Sequence, residues 1–215
     1  MTLPLLSRTL FGYSKSDLAM ANNLGSAKAV VNSLLEVKPL PAAPGDWVNT
    51  VPAQAQIDNG SVGTWYKEFT NWWNMLMYTE GLNMREKMVL FLHNHFSNER
   101  DKVNYPQYMY KQNQLLRKYA LGNFKQLVKE ISIDASMLIY LDGNNSRGTA
   151  PNENYGRELM ELFTLGIGNY TETDIKQAAK ALSGYQVKGL DVVFDATRWY
   201  KESTLTIFGK TAQFN

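Results

Sequence analysis

From Trp65 onward the apolar positions fall at helical spacing, with Trp65, Phe69, Trp72, Trp73 and Leu76 standing at i, i+4, i+7, i+8 and i+11. At that spacing the aromatic stripe reads as core packing rather than as a sugar platform. The next helix is expected to open at Asn83, with Glu86 completing a capping-box pattern, and to run to about Ser97. Helical segments recur at 105–119, 123–132, 134–141, 152–165 and 172–183, joined by polar turns such as Leu121-Gly122-Asn123. Ahead of them, short helices are punctuated by Gly12 and Gly25, with Ser14 or Ser16 and Ser26 as N-caps. Over 38–63, Pro39, Pro41, Pro44 and Pro52 with Gly45, Gly60 and Gly63 break both periodicities, which predicts a long irregular Pro/Gly-rich loop, a lid or a packed wrap. Only Tyr185–Phe194 and Thr204–Phe208 alternate in the strand manner, around a turn at Gly189. The pattern therefore predicts a mainly α fold: one multi-helix domain over 1–215, with a small antiparallel β-hairpin element near the C-terminus at 185–210.

Composition narrows the class without naming a reaction. With 44% hydrophobic and 20% charged residues and no cysteine in 215 positions, the chain is globular; low-complexity disorder and a disulfide-stapled miniprotein are excluded. A net charge of +2, from 22 basic and 20 acidic residues, lacks the basic excess of a nucleic-acid binder. Lys111, Arg117, Lys118, Lys125 and Lys129, with Glu130 among them, read as a solvated helical surface, so no nucleic-acid partner is expected. The longest apolar candidate, Met88–Leu92, is far short of the roughly 20 residues of a membrane span, so no integral membrane segment is predicted. The N-terminus has neither a basic n-region nor a small-residue cleavage site, and therefore does not read as a secretory signal. Gly-rich phosphate loops, a Gly-x-Ser-x-Gly elbow and thiolate chemistry are all missing from the sequence.

The only histidines are His93 and His95. On a regular helix their rings diverge by about 160°, placing His95 among Met84, Met88, Phe91 and Leu92 and His93 beside Glu86 and Ser97. A two-histidine metal face needs i, i+4 spacing, so it survives only if His93-Asn94-His95 is extended. His95 is then either a general acid or base on the floor of an interhelical pocket, or a buried imidazole hydrogen-bonded to a neighbouring helix. In 152–165 the polar arc holds Glu153, Asn154, Arg157, Glu158 and Glu161. Glu153, Arg157 and Glu161 form an i, i+4 ladder suited to a solvated face. Facing inward, Glu158 and Glu161 would instead be metal ligands or an acid/base pair tuned by Arg157. Asp142, Asn144, Ser146 and Glu153 stand at positions 1, 3, 5 and 12 of a calcium-type loop. Against that reading, position 6 is Arg147 where glycine is needed, and the bland alternative is an Asn/Gly/Ser turn.

Phe91-Leu-His-Asn-His-Phe96 and Pro151-Asn-Glu-Asn-Tyr-Gly-Arg-Glu-Leu-Met-Glu-Leu-Phe-Thr-Leu-Gly166 carry a further reading, supported in order by Leu6–Gly12, Leu121–Phe124, Leu138–Asp142, Tyr170–Asp174 and Ala178–Gly184. On these motifs the chain resembles a bacterial family, the domain of unknown function 1800. The resemblance implies a mostly helical fold, an exported (periplasmic or secreted) protein, and a sulfatase-like or phosphatase-like partner from a neighbouring gene. Where that family has alanine this chain has Gly156; a glycine inside a helix costs about 1 kcal/mol, which a close approach of another backbone would explain. The His-Asp pair that follows the family's hairpin is missing around Trp199-Tyr200, and family members continue past Asn215, so the chain is expected to be the N-terminal part of a longer family domain. The resulting expectation is a polar interhelical site that binds or hydrolyses an extracytoplasmic substrate. Its catalytic candidates are His95, Arg157, Glu158 and Glu161, its substrate-binding candidates His93, Asn94, Asn152 and Asn154, and its candidate cofactor a divalent cation. The alternative is a non-catalytic scaffold or partner-binding module in which the same polar residues are structural.

Overall fold

The caps read from sequence mark the helix starts. Ser14 opens α2 (Lys15–Asn23) and closes a capping box with Asp17; Ser26 opens α3 (Ala27–Leu34). In the computed structural model, which describes residues 2–202 and 204–214, these follow α1 (Thr2–Thr9). The stretch expected to be irregular over 38–63 is partly ordered. It holds a 3₁₀ turn at Asp46–Asn49, α4 (Gln54–Asp58), and the first turn of α5 (Ser61–Thr79). Prolines confined to the preceding turns leave these short pieces free to wind. Next come α6 (Arg85–His95), α7 (Arg100–Val103), α8 (Pro106–Tyr119), α9 (Phe124–Ile131) and α10 (Ala135–Tyr140). After a 3₁₀ turn at Gly143–Asn145 come α11 (Glu153–Glu161), capped by Asn152, and α12 (Glu172–Ala181), boxed by Thr171 and Asp174.

The tail forms two antiparallel pairs: β1 (Tyr185–Lys188) with β2 (Asp191–Phe194), and β3 (Leu205–Ile207) with β4 (Lys210–Ala212). Both turn through a glycine with positive φ, Gly189 and Gly209. The fold is thus mainly α with small antiparallel β elements near the C-terminus. Among the described residues no helix is long and apolar enough to cross a membrane.

The chain divides into two compact units, one of Met1–Asn94 with Asn113–Leu127 and one of His95–Gln112 with Val128–Asn215. In the first, Leu6, Leu10, Ala21, Val30 and Leu34 pack together under α1 to α3. Of the aromatic stripe of α5, Phe69 and Trp73 are buried and Trp65, Trp72 and Leu76 half-buried; Phe69 stacks on Trp72 and Trp73, and the buried face also takes in Tyr66, which the spacing left out. In the second, α11 and α12 cross through Met160, Ile175 and Ala178. Gly156 supplies the expected close approach, since a Cβ there would lie 3.0 Å from the Ile175 carbonyl oxygen.

Candidate functional site

In the second unit the motif 151–166 is organised by its own hydrogen bonds. The Asn152 side chain accepts from Tyr155 N at 3.0 Å and donates to the Leu141 carbonyl at 2.8 Å. Ser146 Oγ accepts from Asn152 N at 3.0 Å, so the residue is held at three points. Tyr155, 1% exposed, donates its hydroxyl to the Ser132 carbonyl, and burial pushes that phenol well above its ordinary range. Arg157 does not join Glu153 and Glu161 in a ladder. Its two terminal nitrogens clasp Glu172 of α12 at 2.8 and 2.7 Å, while Glu161 accepts from the Tyr170 hydroxyl at 2.6 Å. Glu158 is half-buried, and Glu153 and Asn154 are exposed on the first turn of α11.

His95 reaches this segment through the backbone. Its Nε2 lies 2.8 Å from the Phe163 carbonyl oxygen, just past the end of α11, and its ring packs edge-on against Phe96 and Phe163. The face expected for it is not the buried one. Glu86, Val89 and Leu92 are the inward row of α6, whereas Phe91 is 62% exposed. His93 lies on that inward side, edge-on to Trp73 at 5.0 Å, and burial lowers its pKa below the usual 6.5. The helix is regular to His95, so the extended geometry that would return both rings to one side does not form. Asn94 is exposed.

The calcium-type spacing is occupied otherwise. Asp142 takes a left-handed backbone, φ 57°, and pairs with Lys102 at 2.9 Å. Asn144 stands in the 3₁₀ turn and gives its carbonyl to Arg198, and Ser146 holds Asn152. Among the described residues no group of three or more His, Asp or Glu side chains is placed to hold a metal ion.

The most concentrated buried charge lies in the first unit, on residues that sequence reasoning assigned elsewhere. Glu86 was expected to reach back to the cap of α6; instead Asn83 alone accepts from Arg85 N at 2.9 Å, and Glu86 turns inward. Arg117, expected on a solvated face, meets it with Nε at 2.6 Å and Nη2 at 2.8 Å, and the two side chains are 0% and 1% exposed. Trp73 Nε1 donates to the same carboxylate at 3.1 Å, and Arg85 Nε lies 3.4 Å from it. Arg117 also donates to Asn113 Oδ1 and Gln114 Oε1, and lies 5.0 Å from the Trp72 ring centroid. Arg85 donates to the carbonyls of Lys38 and Pro39 and to Glu80, whose carboxyl burial raises against the pull of Arg85 and Lys38. The Pro-rich strap is thereby held down, helped by Trp72 Nε1 on the Ala42 carbonyl and Asn83 on that of Glu36. Strap and node line a cavity of ≈ 320 Å³, walled by Val37, Lys38, Leu40, Arg85, Arg117 and Lys118 among others. The available signal was the row Glu86, Val89 and Leu92, a carboxylate sitting at the head of an apolar i, i+3 stripe.

Comparison with known proteins gives one match. The model of a family described as "Protein of unknown function (DUF1800)" covers residues 4–215. No curated protein and no solved structure matches the chain.

Proposed function

The chain belongs to the DUF1800 family, and from that premise we propose that it is a non-catalytic binding module, Asn152 and His95 of its motifs serving as ties within the fold and Arg157 being engaged at the surface. What carries the reading is the closure of the motif on itself. Asn152 is bonded at its amide and backbone N–H, His95 Nε2 meets a main-chain carbonyl, and Arg157 is engaged by both arms of Glu172. A general acid or base must present its proton to a substrate within hydrogen-bond reach. In this arrangement the ring nitrogen and the guanidinium face the chain's own acceptors. The extracytoplasmic location and the sulfatase-like or phosphatase-like partner implied by the family resemblance belong to the same reading.

Alanine at His95 and at Asn152, each followed by thermal melting, separates the two roles. A tie leaves a buried acceptor unpaired and lowers the melting temperature; a site residue whose bonds await a substrate does not. Melting with chelator, and then with calcium, magnesium, manganese or zinc added back, is expected to give no cation-specific rise. Unchanged melting in both variants, or a cation-specific rise, would defeat the proposal.

A further inference from the structure

A cavity of ≈ 560 Å³ lies within the second unit, between the turn 147–150 and the segment 197–202 that follows β2. Its floor is backbone. Gly148 N donates to the Arg198 carbonyl at 2.6 Å, and Tyr200 N donates to Ser183 Oγ at 3.0 Å. A Cβ on Gly148 would fall 2.6 Å from the Trp199 carbonyl oxygen, so only glycine lets the two segments meet.

The side chains around that floor carry charge that the fold leaves unused. Among the described residues, Arg147 and Lys201, both exposed, make no hydrogen bond or ion pair through their side chains. Arg198 has one long bond, from Nη2 to the Asn144 carbonyl at 3.4 Å, and its Nε is shut off from solvent without an acceptor. Against these three cations the described wall holds one carboxylate, Glu202, which pairs with none of them. Asp195 is the acidic neighbour of Arg198, but its oxygens already accept from Thr197 at 2.6 and 3.0 Å and from Gln186 at 3.3 Å. A guanidinium that has given up hydration for so little is stabilised by an oxyanion, which it can meet through two parallel N–H bonds. The rest of the wall suits a ring. Trp199 and Tyr200 are half-buried on it, and Lys180 Nζ donates to the Tyr200 hydroxyl at 2.9 Å while standing 4.3 Å from its ring centroid. That contact fixes the Tyr200 ring and leaves its hydroxyl hydrogen to donate.

We propose that this cavity binds a phosphate monoester of a small ring compound. The phosphate lies against Arg147, Arg198 and Lys201, and the ring against Trp199 and Tyr200. Three cations facing one carboxylate favour a group carrying about two negative charges over a singly charged one. The volume is that of an ordinary small-molecule pocket. The assignment rests on the binding-module reading and gives that module a ligand class. It does not depend on the roles of His95 or Asn152.

The test titrates the whole chain by calorimetry at physiological ionic strength with three probes: phenyl phosphate, phenyl sulfate and methyl phosphate. Phenyl phosphate is expected to bind saturably and to raise the melting temperature. Phenyl sulfate, with the same ring and a smaller charge, and methyl phosphate, with the same charge and no ring, are each expected to bind more weakly. Arg147→Gln and Lys201→Gln each remove a side-chain cation without a partner among the described residues. Each is expected to weaken phenyl phosphate by about tenfold or more, the loss of a charged hydrogen bond, while the free protein melts as before. Arg8→Gln, at an exposed cation of the first unit, is expected to leave binding intact. The assignment is overturned by any of four results: no saturable binding of phenyl phosphate in the millimolar range, an affinity unchanged by Arg147→Gln, an equal loss in Arg8→Gln, or equal affinity for either of the other probes. Failure here leaves the melting of the His95 and Asn152 variants unaffected, so the two readings fail separately.

Discussion

Arg117 and Arg157 each hold a glutamate through two nitrogens at 2.6 to 2.8 Å, yet the two pairs belong to different physical regimes. Arg117 and Glu86 are 0% and 1% exposed in the first unit; Arg157 and Glu172 are 37% and 66% exposed in the second. Water competes for the second pair and screens it, whereas the first has given up its hydration and depends on partners at every donor. Asn113 and Gln114 accept from Arg117, and Trp73 donates to the Glu86 carboxylate. The residue carrying the recognisable motif is therefore the one with little to hold, and the residue in an unremarkable stretch is the one the unit is built around.

The sharpest way to break this contrast is to remove one side of the buried pair. Arg117→Ala or Glu86→Ala leaves an uncompensated charge in the core and is expected to cost about 3–5 kcal/mol, read as a fall in unfolding free energy by urea titration. The double substitution Glu86→Leu with Arg117→Met removes both charges and is expected to recover most of that loss, since apolar replacements of matched volume are often neutral. A single variant as stable as the parent would mean that water reaches the node and that the two regions do not differ.

Much of the fold was legible because it is local. Ser14 and Ser26 cap within three residues of themselves, and the stripe of α5 repeats along one helix. The node was not, because its members lie 31 positions apart and each has a more common use: a glutamate three residues after Asn83 reads as a capping box, and an arginine among lysines reads as surface. The same ambiguity misplaced the inner face of α6. Met84, Met88 and Phe91 outvote Glu86 in an apolar count, but the buried carboxylate and its arginine fix the face, leaving Phe91 outside. For the motif the difficulty runs the other way. Its letters are dense with ionisable groups, and only the three-dimensional partners, Leu141 and Phe163 carbonyls and Glu172, show what those groups are attached to.

Titration sharpens the comparison with opposite signs in the two units. In the second, burial pushes the Asp134 carboxyl, the N-cap of α10, from 3.8 up to about 7, opposed by the N–H groups it caps and by Lys111. A raised pKa contributes stability that is fully present below 3.8 and lost as pH rises through about 7. Asn caps as well as Asp, so Asp134→Asn is expected to gain melting temperature relative to the parent on going from pH 4 to pH 7, by a shift corresponding to a few kcal/mol at most. In the first unit, half-buried His93 works the other way: its lowered pKa contributes stability present above 6.5 and lost as pH falls through the folded value. His93→Gln is expected to blunt the acid-side loss. A difference between Asp134→Asn and parent that stays flat across this pH range would show the cap carboxylate to be ionised throughout.

Gly156 tests how tightly α11 and α12 are joined. Alanine there gains about 1 kcal/mol of helix propensity, but its Cβ would lie 3.0 Å from the Ile175 carbonyl and 3.3 Å from Ala179 N, so α12 must yield by a few tenths of an ångström. The two terms oppose each other, and Gly156→Ala is expected to change unfolding free energy by less than about 1 kcal/mol. A loss of several kcal/mol would show that the helices cannot part, and would make Gly156 a packing requirement of this chain rather than a tolerated loss of helix propensity.

The smallest effect belongs to Arg157. Its guanidinium forms two short bonds to Glu172, which depress that carboxylate below its ordinary range, and the geometry alone suggests a strong tie. Exposure decides otherwise: both groups remain hydrated, the long side chains lose freedom when paired, and salt screens what is left. Arg157→Ala is accordingly expected to melt with the parent at physiological ionic strength, and to fall below it only when salt is reduced. A large loss at high salt would place Arg157 beside Arg117, as a group that the fold has taken out of water.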